Sequence, residues 1–456
     1  MWRAATLSIT IDEAYTYNEF AALGLNGIFE HYDANNHVLH STLAAMSTWA
    51  FGVSEFTLRI PALLGGALYL WALLRLIERS YFRGHRWLQW LVYAVLICNP
   101  LTLDLLCVAR GYSLALGLLA FALLKLFDFS QRHRFADLKW MSLALGLSTA
   151  ANLCFSFAAI ATAGIAVALV LKLGFWRNGV VAALAPGAIA AFLLLVLPMS
   201  KAERNSFYWG AATIADSVET TANPLFQHRP DDPGPFGSWR MIKRFRLRFV
   251  PIAMIILLAA TLRWLLRGER TELTLLSSIF LLALLGYWLA HIWQGVPYPS
   301  ERTSTPVILF FFLTFGGALS YLIRYRWAAA LIVIPSALIF VAMLLQAAQQ
   351  ADPRYQWAWY SDQDNRKVVA LVASHGAKSV STHWMMHAQM EFYRLAGLLP
   401  LVPERLNRVP GDDPPLTGHD AYVLYRADPA RVATFGLEIA YRNPVTGVMV
   451  AFPAKR

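Results

Sequence analysis

Two adjacent carboxylates stand near the start of the chain, Asp12 and Glu13 in "ITIDEAYTYNEF" (residues 9–20). A carboxylate within hydrogen-bond reach of an acceptor hydroxyl can take its proton, which contributes roughly 10²–10⁴-fold to a rate. The same pair can equally be an ordinary solvated turn. In any extended stretch Glu13 points away from Asp12, so it reads as the supporting member. Three further polar clusters could carry chemistry. In "NNHVLH" (35–40), His37 and His40 are spaced i, i+3 and would share a helix face. They could contribute to a divalent-metal site, but such sites take about three protein ligands or more, and polarity at a helix start is the alternative. Arg110 in "ARGYSL" (109–114) lies between two apolar runs, six residues after Asp104. A charge costs roughly 2.5–3.5 kcal/mol at a bilayer centre and less near its surface. Such a residue pairs or binds something. Its fork suits a phosphate, while an Asp104–Arg110 ion pair or snorkelling to head groups serves as well. Glu301 and Arg302 in "YPSERTSTP" (298–306) open another apolar run, where interfacial anchoring is the alternative. The acids of "DQD" (362–364) resemble the metal-binding pair of soluble nucleotide-sugar enzymes, but they precede a helical pattern and read as an N-cap.

The elements that must position these residues belong to a membrane protein. Of 456 residues, 57% are hydrophobic and 15% charged, against about 45–50% and 25% in soluble domains. The net charge is +11, spread over short basic runs between apolar stretches. Cytoplasmic loops have that pattern, and it excludes nucleic-acid binding. Cys98, Cys107 and Cys154 lie in apolar stretches without metal-ligand spacing and read as small hydrophobes. Stretches of roughly 20 apolar residues predict spans at 57–78, 87–108, 110–127, 138–155, 156–173, 179–198, 249–267, 273–293, 305–323 and 327–346. The shorter apolar piece 41–53 reads as an interfacial helix. If the spans alternate, "RLIERSYFRGHR", "KLFDFSQRHRFADLK", "KLGFWRNG", "RWLLRGER" and "RYR" share one face, which Lys and Arg excess marks as cytoplasmic. The other face receives 1–56, the turn near 109, the loop 199–248, the loop 294–304 and the tail. "KRFRLR" (243–248) dissents from that assignment. All four polar clusters fall on this second face.

The tail changes character. "VVALVASHG" and "MEFYRLAG" read as helices, "KSVSTHW" and "AYVLYR" as strands. The expected division is a membrane domain over 1–350, with outer loops 1–56 and 199–248, and a small outer α/β domain over 351–456. The fold class is thus an α-helical polytopic membrane protein of about ten spans with a C-terminal α/β soluble domain. Only "MWRAATLSIT" precedes the carboxylates on the outer face, which predicts either an N-terminus translocated unaided or, the favoured reading, a frame that starts downstream of a first helix.

Five segments together resemble a known family: "DEAYTY", "NNHVLH", "FGVSEFTLRIPALLGG" (51–66), "NPLTLDLLCVARGYSL" (99–114) and "SERTSTPVI" (300–308). They are similar to segments of the polytopic glycosyltransferases of the C superfamily. The likeness is to the bacterial branch near protein O-mannosyltransferases and lipid A aminoarabinose transferases (glycosyltransferase family 39-like), and it covers most of 9–325. The resemblance implies inverting transfer of a sugar from a polyprenyl-phosphate donor to a lipid, glycan or protein acceptor at the outer face of the bacterial cytoplasmic membrane. It implies Asp12 as base with Glu13 beside it. It also implies Arg110, Arg302 and Tyr112 on the donor phosphate, and Asn36, His37, His40 and Glu301 in the active-site loops. No cofactor follows from it, though a divalent metal stays open, and the partners are donor, acceptor and membrane lipids. Competing classes are a lipid-linked glycan ligase or polymerase and, from another direction, a transporter.

Overall fold

The computed structural model describes residues 1–79, 85–203, 209–226, 248–266, 272–350, 357–406 and 416–454. Apart from 87–108, each predicted span is helical over most of its described residues. Seven helices are long and apolar enough to cross a membrane: Glu55–Ile77, Tyr112–Arg132, Leu153–Lys172, Trp176–Met199, Glu272–Gln294, Glu301–Leu322 and Arg326–Gln349. Phe135–Ala151, Arg86–Cys98 and Val250–Leu266 are shorter apolar helices. Ile189, Phe192, Leu193, Leu331 and Leu338 are all exposed along their helices. A contiguous apolar exterior on helices whose backbone groups are internally bonded is what a bilayer requires. The chain is a multi-pass membrane protein.

One expected span is corrected. The run 87–108 breaks at Asn99, whose backbone is extended and whose side-chain Oδ1 caps a second helix, Pro100–Leu105, by accepting from Thr102 N–H at 2.9 Å. Pro100 disfavours the helical region for the residue before it, so the helix stops at Cys98. The chain then turns back through 106–111 and delivers Arg110 to the head of the Tyr112–Arg132 helix. That helix packs against Glu55–Ile77 backbone to backbone. A Cβ at Gly65 would strike the backbone of Leu114, and one at Gly117 the carbonyl of Gly65. A Cβ at Gly111 would strike the Ala151 carbonyl. The loop that carries Arg110 is therefore fixed on two sides by glycine-sized gaps. The shorter apolar piece 41–53 lies largely in a 14-residue helix, Val38–Phe51.

The tail forms the expected small sheet domain. Five strands, β1 (Val380–Thr382), β2 (Pro403–Arg405), β3 (Ala421–Tyr425), β4 (Leu437–Arg442) and β5 (Val448–Pro453), lie in the order β2-β1-β3-β5-β4. β1 runs parallel to β2 and β3, while β5 is antiparallel to β3 and β4. Helices Asn365–Ser374 and Trp384–Leu395 pack on the sheet through Val368, Met386 and Met390. The same buried cluster takes in Ile9, Ala14, Leu58 and Ala109. The core of the tail is thus continuous with the segment that carries the two carboxylates. The expected boundary at 350/351 falls at the edge of the described residues.

Candidate active site

The helix Ile11–Thr16 is only six residues long and starts with a capping box: Thr10 accepts from Glu13 N–H, and the Glu13 carboxylate accepts from Thr10 N–H. Successive positions on this turn face opposite surroundings. Asp12 meets the groups the sequence placed on the same membrane face. Its Oδ2 accepts from Arg302 Nη1 at 2.6 Å and from Trp359 Nε1 at 3.2 Å, and lies 3.9 Å from Arg110 Nη2. Among the described residues its Oδ1 takes no hydrogen bond, and the side chain keeps 19% of its surface exposed. Burial pushes the Asp12 carboxyl up, but the Arg110 and Arg302 guanidiniums and the Trp359 N–H outweigh it and hold it below the ordinary carboxylate value. The group is an ionised carboxylate with one free oxygen, next to two cations.

The cations are themselves fixed. Arg110 is buried, and its Nη1 donates to Asn35 Oδ1 at 2.8 Å and Thr16 Oγ at 3.3 Å. The Asp104–Arg110 pair considered from the sequence does not form, because Asp104 pairs with Arg3 at 2.6 Å. Arg302 sits over the rings of Trp209 and Trp359, 5.3 and 5.5 Å from the centroids. Cation–π contacts and the Asp12 pair leave much of its fork able to meet another anion.

Glu13 faces inward and has no exposed surface. Arg59 grips it with two parallel bonds, Nε to Oε1 at 2.8 Å and Nη2 to Oε2 at 2.7 Å. Ala109 N–H adds a third at 2.6 Å. Arg59 spends its remaining donors on the carbonyls of Ala4, Leu7 and Ser8. Glu13 is thus saturated and out of reach of any substrate. Its bonds lock the turn that presents Asp12 and tie it to the Arg110 loop.

The remaining expected residues divide. Tyr112 is buried and meets the His37 ring edge-on at 5.6 Å. Asn36 staples its loop through its amide nitrogen, which donates to the carbonyls of Ile28 and His31 at 2.8 and 3.1 Å. Its neighbour Asn35 is the residue that touches Arg110. His37 and His40 are buried. Burial, with Arg110 nearby, pushes both imidazoles down, His40 to about 4, so both are neutral. Among the described residues no group of three or more His, Cys, Asp and Glu is placed to hold a metal. Glu301 opens the 3-10 turn Glu301–Ser304 with φ of +44°, a left-handed backbone that swings Arg302 toward Asp12. The "DQD" acids do not cap their own helix by a side chain. Asp364 accepts from Asn443 and Thr446, and Asp362 from Ile11 N–H. Most of "KRFRLR" lies outside the described residues.

Three residues of the site were missed from sequence. Arg59 had a signal, a cation inside an apolar run that must find a partner. Asn35 lay one position from the residue chosen. Trp359 had none, since only the docking of the tail brings its indole to Asp12.

No family model and no curated protein sequence matches the chain. Its fold is similar to that of ArnT from Cupriavidus metallidurans in the apo state, with a TM-score of 0.55 at 13% identity over 99% of this chain and 95% of that one. ArnT from the same organism bound to undecaprenyl phosphate gives a TM-score of 0.54 at 12% identity, with the same coverage. ArnT is a lipid A aminoarabinose transferase of the C superfamily. The resemblance in the sequence motifs therefore holds at the level of the fold, which extends over nearly the whole chain.

Proposed function

We propose that this protein transfers a sugar from a polyprenyl-phosphate carrier to an acceptor hydroxyl, with inversion, at the outer face of the bacterial cytoplasmic membrane. The observation that carries the reading is the Asp12 carboxylate, held ionised by its neighbours and partly open to the cleft, with Arg110 and Arg302 beside it. Such a trio suits one reaction class. The acceptor oxygen attacks the anomeric carbon while its proton passes to Asp12 Oδ1. The bond from that carbon to the phosphate oxygen breaks, and the carrier leaves as a phosphate monoester with one more negative charge. Arg302 and Arg110 neutralise the charge that develops, which is the electrostatic part of catalysis. Phosphate leaves readily, so no general acid is needed opposite the base.

Two further features support the reading. An apolar cavity of about 310 Å³ opens beside the Arg302 turn, lined by Pro299 and Val307 on either side of it and by Met254, Tyr287, Ile308 and Phe311. A prenyl chain is the ligand class for such a surface. The comparison protein of the same fold was solved bound to undecaprenyl phosphate. On this reading the tail lies on the outer side as one wall of the acceptor site, and basic loops mark the cytoplasmic side. Profiling glycolipids and glycoproteins of a deletion strain tests the proposal: one glycan, lipid or protein should lose a single sugar. A deletion strain whose envelope glycans are all unchanged would overturn it.

A further inference from the structure

The 3-10 segment Trp357–Asp362 holds Asp12 from two directions. Trp359 donates to the Asp12 carboxylate. Asp362, three residues on, accepts from Ile11 N–H at 2.9 Å through its Oδ2, at the first turn of the helix that bears Asp12. That N–H is one of the orphan donors of a helix start, and the capping box leaves it unmet. Around it the tail pins the chain just upstream: Asn365 Nδ2 donates to Ile9 carbonyl at 2.9 Å, Ile9 N–H to the Tyr393 hydroxyl at 3.3 Å, and Ser8 Oγ to Gln363 carbonyl at 3.0 Å. A helix of six residues has little stability alone. Its position is set by these bonds and by the Glu13–Arg59 lock.

Asp362 is buried, and no cation lies in its hydrogen-bond shell among the described residues. Its Oδ1 accepts from Gln389 Nε2 at 2.7 Å and Asn365 Nδ2 at 3.4 Å. Both amides also carry a buried oxygen without a partner, Gln389 Oε1 and Asn365 Oδ1. A carboxylic O–H at Asp362 reaches one of these oxygens only if an amide turns over, which breaks that amide's bond to the Met385 or the Ile9 carbonyl, so protonation loosens this shell. Among the described residues, Asp12 from the Ile11–Thr16 helix and Tyr425 from β3 are titratable groups coupled to Asp362. The facing residues of its own following helix and of Trp384–Leu395 are the neutral Asn365 and Gln389.

We propose that Asp362 is a proton-sensitive positioning residue for Asp12: as a carboxylate it holds the Ile11 N–H and raises the basicity of Asp12, and on protonation both effects fade, so the C-terminal domain tunes transfer by pH. The inference rests on Asp12 being the base of the proposed reaction. Burial pushes the Asp362 carboxyl up, past the bonds that lower it, to about 7. The ionised form therefore gains population as pH rises through neutrality, and transfer rises with it. Asp12, held low by its guanidiniums, stays ionised throughout that window.

The test is the pH dependence of kcat for the full-length protein in lipid nanodiscs with a polyprenyl-phosphate sugar. Wild type should gain several-fold between about pH 6 and pH 8 as the carboxylate ionises. Asp362→Asn should lose that rise and stay at the acid-side level, with the donor KM unchanged. Gln389→Met removes one bond to the carboxylate and should move the midpoint to higher pH. It also covers the case in which the Asn variant fails to fold. A wild-type rise that both variants keep at the same midpoint overturns the proposal, as does a flat wild-type profile. Asp12→Asn in the same assay separates the two readings: if it still transfers, the base assignment fails, and if it is dead while Asp362→Asn matches wild type, only this inference fails.

Discussion

Asp12 and Glu13 are neighbours in sequence, yet they occupy opposite regions of the molecule. Glu13 is sealed in the core with every lone pair directed at Arg59, Thr10 or Ala109. Asp12 stands at a cleft with one oxygen engaged and the other unbonded among the described residues. Both are carboxylates beside arginine, so charge pairing alone does not mark a reactive group. What separates them is saturation. A fully hydrogen-bonded buried ion pair has nothing left to offer a substrate, while a partly exposed pair can exchange partners.

That contrast can be broken in a graded way. The largest effect belongs to the core. Arg59→Met leaves Glu13 buried without its cation, which costs about 3–5 kcal/mol; thermal unfolding in detergent should show a severe loss, or no folded protein at all. The double change Arg59→Met with Glu13→Leu should recover much of that stability, because an apolar pair can replace a buried ionic one. Arg302→Ala, on the cleft side, should behave oppositely: about 10²–10³-fold lower kcat with normal accumulation and unfolding temperature. Equal losses in both readouts would make Arg302 structural. Asn35→Ala should cost about tenfold in kcat, since it loosens Arg110 by one hydrogen bond to a charged group. The smallest effect concerns pH. His40 is pushed down to about 4, so the unfolded chain binds its proton first, and stability falls as pH drops from 6.5 through 4. His40→Gln should remove that part of the acid sensitivity while leaving transfer at neutral pH nearly unchanged.

Much of this arrangement was legible in the sequence. Apolar run length and basic loops located the spans and put four polar segments on one face, and Asp12, Arg110 and Arg302 do meet. Two of the tail's helices and two of its strands followed from their periodicities, while the short helix Pro429–Thr434 did not. The break at Asn99 was overrun because a hydropathy window does not weigh a single proline. Glu13 could not be told from Asp12, since side-chain direction on a six-residue turn depends on what packs against it. Trp359 and Asp362 escaped for the same kind of reason. Their contacts span about 350 residues of sequence, and only the shared core of tail and N-terminal segment brings them in.

The most direct test of the central claim is transfer by Asp12→Asn from a synthetic polyprenyl-phosphate sugar, scored against the amount of folded protein. The amide keeps the shape of the carboxylate but cannot take a proton. The account predicts a loss of at least about 10²-fold with unchanged accumulation and an unchanged unfolding temperature. Near-normal transfer by that variant would contradict it.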